Sequence, residues 1–317
     1  MGNGPVLVVT AVDDITADMV IAELNRRGVP VIRLDPSDIG DDLAMSARFG
    51  VASGAPSGRL DTPSRSAALD AVRSVYWRRP SWPVFDGLSG EDARHSAAQV
   101  RHGLGVTLYS LAHCRYVNHP LSNHAAEFKP RQLAVAQRFG FTVPPTLVSN
   151  KLDDIREFIA EYDGVIYKAL RWTPYRRNGQ GWSTWTEPVE AGELDSSVSV
   201  VPHLFQARID KVADVRVTVI GDRVYAVRID SDLLDWRTDY AALTYATVTL
   251  PQNLEKSLVA YLAYFDLTFG CFDLCLGRDG KYYWIELNPN GQWGWLEGEA
   301  GIPLTTAFAD LLEQGMP

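Results

Sequence analysis

The sequence predicts an α/β protein made of α+β lobes: an N-terminal parallel α/β lobe, a central lobe, and a C-terminal lobe on an antiparallel sheet. Two observations carry this prediction. Residues 6–10 and 29–34 are continuous apolar runs that flank a helix-spaced stretch, the strand–helix–strand pattern of a parallel sheet. Toward the C-terminus, strand-like runs are separated only by Gly221-Asp222 and by Gly277-Arg278-Asp279-Gly280, turns short enough for antiparallel hairpins. A length of 317 residues suits two or three compact lobes, and 46% hydrophobic against 22% charged residues supplies a sizeable core.

In chain order, Asp13-Asp14 caps a helix over 15–27 that Gly28 ends, and the second strand follows at 29–34. Residues 50–66, rich in Gly, Ser and Pro, read as turn and loop. A short strand over 74–77 runs into Arg78-Arg79-Pro80, 91–112 has helical spacing, and 115–118 reads as a last strand of the first lobe. The second section begins near His119. It holds a helix over 129–139 stopped by Gly140, an extended Val143-Pro144-Pro145-Thr146, a helix over 152–162 with Asn150 or Asp153 near its cap, and a strand over 165–168. Residues 171–185, polar, aromatic and glycine-bearing, read as a mobile loop or hairpin. The third section reads as a hairpin of 214–220 with 223–230, a helix over 254–265, a hairpin of 268–276 with 281–287, and a closing helix over 304–312.

Composition excludes several classes of function. A formal net charge of −9 argues against a protein that binds nucleic acid through phosphate neutralisation. Cys114, Cys271 and Cys275 give no disulfide framework and read as buried thiols. The start MGNGPVLVVTAVDD lacks a basic region, so no signal peptide is expected, and no apolar run reaches membrane-spanning length. The expectation is a cytoplasmic protein without membrane or nucleic-acid partners. The six histidines show no metal-ligand spacing, and no Ser–His–Asp triad is apparent.

The residues that carry chemistry are Asp273, Glu286 and Asn288, in CFDLCL and WIELNPNGQWGW. The four-residue turn lets Asp273 and Glu286 face each other, and Glu286 and Asn288, two apart, share one face of an extended strand. Three hard oxygen donors then converge, a set suited to Mg²⁺ completed by phosphates and water. The alternative is structural: Glu286 pairs with an arginine and Asp273 caps a turn.

This D…E-x-N-P-N-G arrangement resembles the metal-binding end of ATP-grasp enzymes. The resemblance implies the ATP-grasp fold, with the central lobe as a lid, and two Mg²⁺ ions held by Asp273, Glu286 and Asn288 across the phosphates of ATP. It places Lys129 and Lys168 on the phosphates and the adenine edge, against the alternative of surface lysines. It makes 204–209 the adenine-reading hinge, with Gln206, Ala207 and Ile209 as its binding residues. The family's usual Gln-Glu is here Gln206-Ala207, so the ribose contact is open and Asp210 is a replacement. Asp214-Val215-Arg216 matches the family's Asp-x-Arg. Arg216, with Arg228 on the facing strand and Lys211 nearby, would stabilise charge on the transferring phosphoryl group. Cross-strand salt bridges to Asp214 or Asp230 are the alternative. The chemistry implied is attack of a carboxylate on the γ-phosphate, giving an acyl phosphate and ADP, then displacement of phosphate by an amine or hydroxyl.

Val75 to Pro80, Lys129-Pro130-Arg131-Gln132 and Asp235-Trp236-Arg237 narrow the resemblance to the ATP-grasp maturases of ribosomal peptides, the graspetide or microviridin-type synthetases, in particular their actinobacterial branch. These join Asp or Glu side chains of a precursor peptide to Thr, Ser or Lys side chains, closing rings by ω-esters or ω-amides. The resemblance implies a precursor partner with leader and core segments, leader docking near 171–187, and a homodimer. Arg237 is a candidate grip for a substrate carboxylate, or else an arginine packed on Trp236. The expected lobes are 1–118 (N-terminal pre-ATP-grasp), 119–203 (central ATP-grasp) and 204–317 (C-terminal catalytic). Two other functions fit the same ATP site: a ligase adding free amino acids to a peptide or protein carboxylate, and a nucleotide-binding module without catalysis.

Overall fold

Burial explains the first sheet. Every side chain of the strand Val6–Val9 is 0% exposed, which requires neighbours on both edges and cover on both faces. In the computed structural model, which describes residues 4–50, 56–171, 175–177, 180–182 and 184–316, this strand is flanked in parallel by Val31–Leu34 and Ser74–Trp77, with Arg115–Val117 outermost. The helix Ile15–Arg26 makes the crossover, and the Asp14 side chain accepts from Ala17 N–H at its cap. The helix expected over 91–112 runs as Gly90–Val100, a π-type turn Arg101–Gly105, and Val106–Tyr109, with Ser89 as its cap.

The loop expected over 50–66 is in part a sheet. Ser57–Asp61 pairs antiparallel with Ala44–Arg48 and Ser66–Ala68, while 51–55 lie outside the described residues. Alternation wins over composition here, because Leu60 and Ala67 point into the core beside Leu7 and Val75. Gly58, at φ 151°, is used for close approach: a Cβ there would lie 2.0 Å from Ser46 O.

The central section forms a four-stranded antiparallel sheet ordered Glu187–Val189, Val165–Lys168, His203–Ala207, Thr146–Ser149. The helix Leu152–Glu161 covers it through Ile155. Its cap position is held by Lys151 without a side-chain bond. Asn150 instead donates to Ser199 O at 3.0 Å, and Asp153 acts only as an acidic residue of the first turn. Within 171–185, Tyr175–Arg177 pairs with Gln180–Trp182 as a hairpin; 172–174, 178–179 and 183 lie outside the described residues. The chain passes from His203–Ala207 into the next sheet across 208–210.

That sheet has five antiparallel strands ordered Thr244–Thr247, Arg223–Asp230, Lys211–Ile220, Phe269–Gly277, Tyr282–Asn288. One face carries Val215, Val217, Val219, Phe272 and Leu287, packed under the helices Lys129–Ala136 and Gln252–Tyr264. The other face packs at one end against Gly294–Ala300 and Leu304–Gln314, and at its other end opens into a cleft. Phe308 joins this sheet to the N-terminal one. It stacks on Trp293 at 4.5 Å and meets the rings of Phe269 at 4.9 Å and Tyr76 at 5.4 Å. Among the described residues, no helix is long and apolar enough to cross a membrane. Because Phe308 is 0% exposed, Phe308→Ala is expected to cost about 3–5 kcal/mol in urea unfolding, and the loss should appear in both sheets in one transition.

Candidate active site

A cleft lies between the central sheet and the five-stranded sheet. The strands Val165–Lys168 and His203–Ala207 contribute Ile166, Lys168, Gln206 and Ala207, and the hairpin of the last two strands contributes Asp273, Cys275, Ile285 and Glu286.

The acidic end of the cleft is set by register. Asp273 is opposite Glu286, and Cys271 is opposite Asn288, so all four side chains share one face. The pairing shifts between Asp273 and Leu274, because Ile285 is an extra residue in the last strand; this bulge lets Ile285 and Glu286 both reach the cleft. Arg216 is opposite Asp273 on the other side, and its Nη1 donates to both carboxylate oxygens at 2.8 Å. Lys129 Nζ stands 3.1 Å from Glu286 Oε2. Gly291 follows because the Arg216 guanidinium lies against it: a Cβ there would sit 2.8 Å from Arg216 Nη2 and 2.6 Å from Cys271 Cβ.

Electrostatics separates the two acids. Burial pushes Asp273 above the usual carboxylate range, and the Glu286 charge adds to that against Arg216. Burial acts on Glu286 too, but Lys129, Arg237 and Lys168 outweigh it and hold its carboxyl down at about 2. Among the described residues, no three His, Cys, Asp or Glu side chains form a metal group. The set is therefore two carboxylates plus the amide of Asn288, whose Oδ1 accepts from Asn290 N–H at 3.3 Å. Hard oxygens on one face, with Asp273 18% and Glu286 20% exposed toward the cleft, fit Mg²⁺ completed by phosphate and water.

The expected cations divide. Lys129 and Lys168 both line the cleft; Lys168 Nζ donates to Gln206 Oε1 at 2.9 Å, and burial pushes it below the ordinary lysine range although Glu286 pulls it up. Lys211 Nζ is held by Asp214 Oδ2 at 2.5 Å and Leu234 O at 2.9 Å, and burial raises Asp214 despite that partner. Arg216 is buried behind Asp273, its charge kept by that carboxylate against burial. Arg228 is elsewhere. It is opposite Val215, which puts it on the sheet face away from Arg216, and it pairs with Asp230 at 2.6 Å. An ion pair with Asp230, one of the two acids named in the alternative, therefore describes it, made along the same strand and not across strands. Asp210, considered for the ribose, points outward to Arg278 at 3.0 Å.

At the hinge, Ala207 N–H donates to Pro145 O and Arg208 N–H to Gly164 O. No described residue accepts from Ile209 N–H, which leaves that donor for a ligand at the cleft wall. Gln206 is 2% exposed and donates to Thr146 Oγ1 at 2.9 Å, so its side chain braces Lys168.

Sequence reasoning missed two contacts. Arg78, 1% exposed, is paired with Asp14 at 2.9 Å, while Asn290 Nδ2 donates to Arg78 O and Arg79 Nη2 to Asn290 O at 3.3 Å. The Arg-Arg-Pro segment thus ties the first sheet to the exit of the carboxylate hairpin. Thr186 N–H donates to Asp235 Oδ2 at 3.1 Å and the Arg237 guanidinium lies 6.0 Å from the Trp185 ring, so the segment 184–186 is latched over the cleft. These pairings join residues about fifty apart or more, and no local pattern in the sequence marks them. Arg237 also lies against Asp235 through two bonds, at 2.8 and 2.7 Å, while Trp236 packs on Trp295. Burial pushes Asp235 up, but Arg237 and the Thr186 N–H bring it down to about 2. A folded-state value below the ordinary 3.8 means stabilisation that is complete above pH 4 and lost as pH falls toward 2. Asp235→Asn is expected to cost about 2 kcal/mol at pH 7 and at pH 5 alike, with the difference from the parent closing below pH 4 in unfolding titrations.

None of the protein-family models compared with the chain matches it, and no curated protein sequence does. Solved structures match along nearly the whole chain. A RiPP-associated ATP-grasp ligase of Chryseobacterium gregarium, solved with ADP and a leader and core peptide, superposes with a TM-score of 0.89 at 25% identity, over 99% of this chain and 98% of that one. The macrocyclase MdnB of Microcystis aeruginosa MRC gives 0.81 at 28% identity, over 98% and 100%. The ATP-grasp ligase PsnB, complexed with a minimal precursor, gives 0.77 at 25% identity, over 98% of each chain. A mixed α/β architecture, a cleft between two antiparallel sheets and these likenesses agree: the chain has the ATP-grasp ligase fold and is similar over nearly its whole length to ATP-grasp ligases solved with leader, core or precursor peptides.

Proposed function

We propose that this protein uses Mg²⁺ and ATP to close rings in a ribosomal precursor peptide, activating Asp or Glu side chains of the core as acyl phosphates and joining them to Thr or Ser hydroxyls, as esters, or Lys amines, as amides. The observation that carries the proposal is the facing pair Asp273 and Glu286, each held by its own cation, at the end of a cleft whose hinge offers Ile209 N–H. The likeness to ligases solved with leader and core peptides supports a peptide as the carboxylate donor.

Ala207 and Ile209 would meet the adenine, and Lys129 and Lys168 the phosphates, with Lys211 and Asp214 as the cleft wall beyond. Asp273, Glu286 and Asn288 would hold Mg²⁺, which supplies charge neutralisation and alignment of the γ-phosphate. Arg216 fixes the Asp273 carboxylate by its two bonds. Arg237, held by Asp235, presents positive charge to the cleft where the acyl phosphate develops. In the first step a peptide carboxylate oxygen bonds to the γ-phosphorus and ADP leaves. In the second, a hydroxyl or amine attacks the acyl carbon and phosphate leaves, so each ring removes one water from the peptide. The segment 184–186 keeps solvent from the acyl phosphate, whose hydrolysis would waste the ATP.

The lobes 1–118, 119–203 and 204–317 are part of the proposal, with His203–Ala207 as the strand that leads into the hinge. So are assembly as a homodimer, which sedimentation checks, and a cytoplasmic location. Co-expression with candidate precursor peptides bearing leader and core segments, read by intact mass, tests the reaction. Loss of one or more waters is expected, and Glu286→Gln should lower it by more than about a hundredfold. A gain of one amino-acid residue would instead indicate a free-amino-acid ligase.

A further inference from the structure

The strand Tyr282–Asn288 is an edge of the five-stranded sheet, yet it carries Glu286 and Asn288. An edge strand has no neighbour to fix its outward peptide groups. Leu287, between the two ligands, has both of these groups bound by one side chain. Gln132 Oε1 accepts from Leu287 N–H at 3.0 Å, and Gln132 Nε2 donates to Leu287 O at 2.8 Å. The amide presents donor and acceptor as the peptide of a further strand would. Its second hydrogen goes to Ala126 O at 2.6 Å, so both hydrogens and the oxygen of the amide are engaged and turning it over would break all three bonds; the main-chain carbonyl of Gln132 separately accepts from the Tyr261 hydroxyl at 2.9 Å.

Gln132 is 1% exposed and sits three residues after Lys129 on the helix Lys129–Ala136. Residues at that spacing share a helix face. One face therefore delivers a cation to Glu286 and an amide clamp to the next residue, Leu287. We propose that Gln132 is a positioning residue for the metal ligands: it takes the place of a missing strand and fixes the spacing of Glu286 and Asn288. This rests on the reading of those two residues as Mg²⁺ ligands. A buried amide chosen only to fill space would be replaceable by an apolar side chain of similar volume, whereas here such a change leaves both Leu287 groups without partners.

The test is calorimetric binding of ADP, with and without Mg²⁺, to the full chain carrying Gln132→Met or, as a packing control on the same helix, Val135→Ala. The wild type should bind ADP more tightly with Mg²⁺. Gln132→Met should lose about tenfold or more of that gain, with metal-free ADP affinity unchanged, and Val135→Ala should keep the gain. Where Gln132→Met does not fold, Gln132→Glu, which keeps the shape but when ionised sets a second acceptor in place of the donor to Leu287 O, is expected to show the same loss. Retention of the full gain in the Gln132 variant, or an equal loss in Val135→Ala, would overturn the proposal. No Mg²⁺ gain in the wild type would overturn the ligand assignment beneath it.

Discussion

Two carboxylates held on neighbouring strands, largely out of water, repel each other and stay charged only if cations are fixed around them. Asp273 and Glu286 are such a pair, and much of the molecule is arranged about them. Arg216 reaches Asp273 from the adjoining strand, Lys129 reaches Glu286 from a helix of the central section, and Arg237 adds its charge from the loop beyond the sheet. These three groups come from three separate stretches of chain. The fold that brings them together is therefore also the device that keeps the acids ready for a metal ion. The asymmetry matters: Glu286 is held ionised by Lys129, Arg237 and Lys168, while Asp273, bonded to Arg216, is raised by burial and by the charge of Glu286.

The same constraint explains the connections at the rim. The hairpin ends at Pro289-Asn290-Gly291, where Asn290 is interlocked with Arg78 and Arg79 of the first sheet and Gly291 makes room for Arg216. Asn118, 2% exposed, donates to Phe269 O and Pro289 O and accepts from Phe269 N–H, so it ties the start of one ligand strand to the exit of the other. On the lid side, Asp235 holds both Arg237 and Thr186. One carboxylate thereby holds both the segment over the cleft and the arginine that faces it, an arrangement that suits chemistry from which water must be kept.

Much of this was legible in the sequence where local periodicity governs. Alternation identified the shared face of Glu286 and Asn288, and apolar runs identified the parallel strands. Register was less accessible. The two-residue turn Gly221-Asp222 pairs Ile220 with Arg223, which puts Val227, not Arg228, opposite Arg216; counting outward from that turn would have removed Arg228 from the site. The facing of Asp273 and Glu286 depends on the extra residue Ile285, since an unbroken ladder from Leu276 and Tyr282 would bring Ile285 opposite Asp273 instead. No composition signal marks a bulge of that kind. The strand Ser57–Asp61 was hidden by its glycine and serines, and the latch between Thr186 and Asp235 by distance along the chain.

In the proposed reaction the cleft transfers the γ-phosphoryl group of ATP onto a peptide carboxylate. Its most direct test uses precursor peptide labelled with ¹⁸O in its Asp and Glu side-chain carboxylates, incubated with ATP, Mg²⁺ and the enzyme, with the released inorganic phosphate analysed by mass. The account predicts one ¹⁸O in phosphate for each ring closed, because the carboxylate oxygen that attacks phosphorus departs with it. Ring closure with unlabelled phosphate would contradict it.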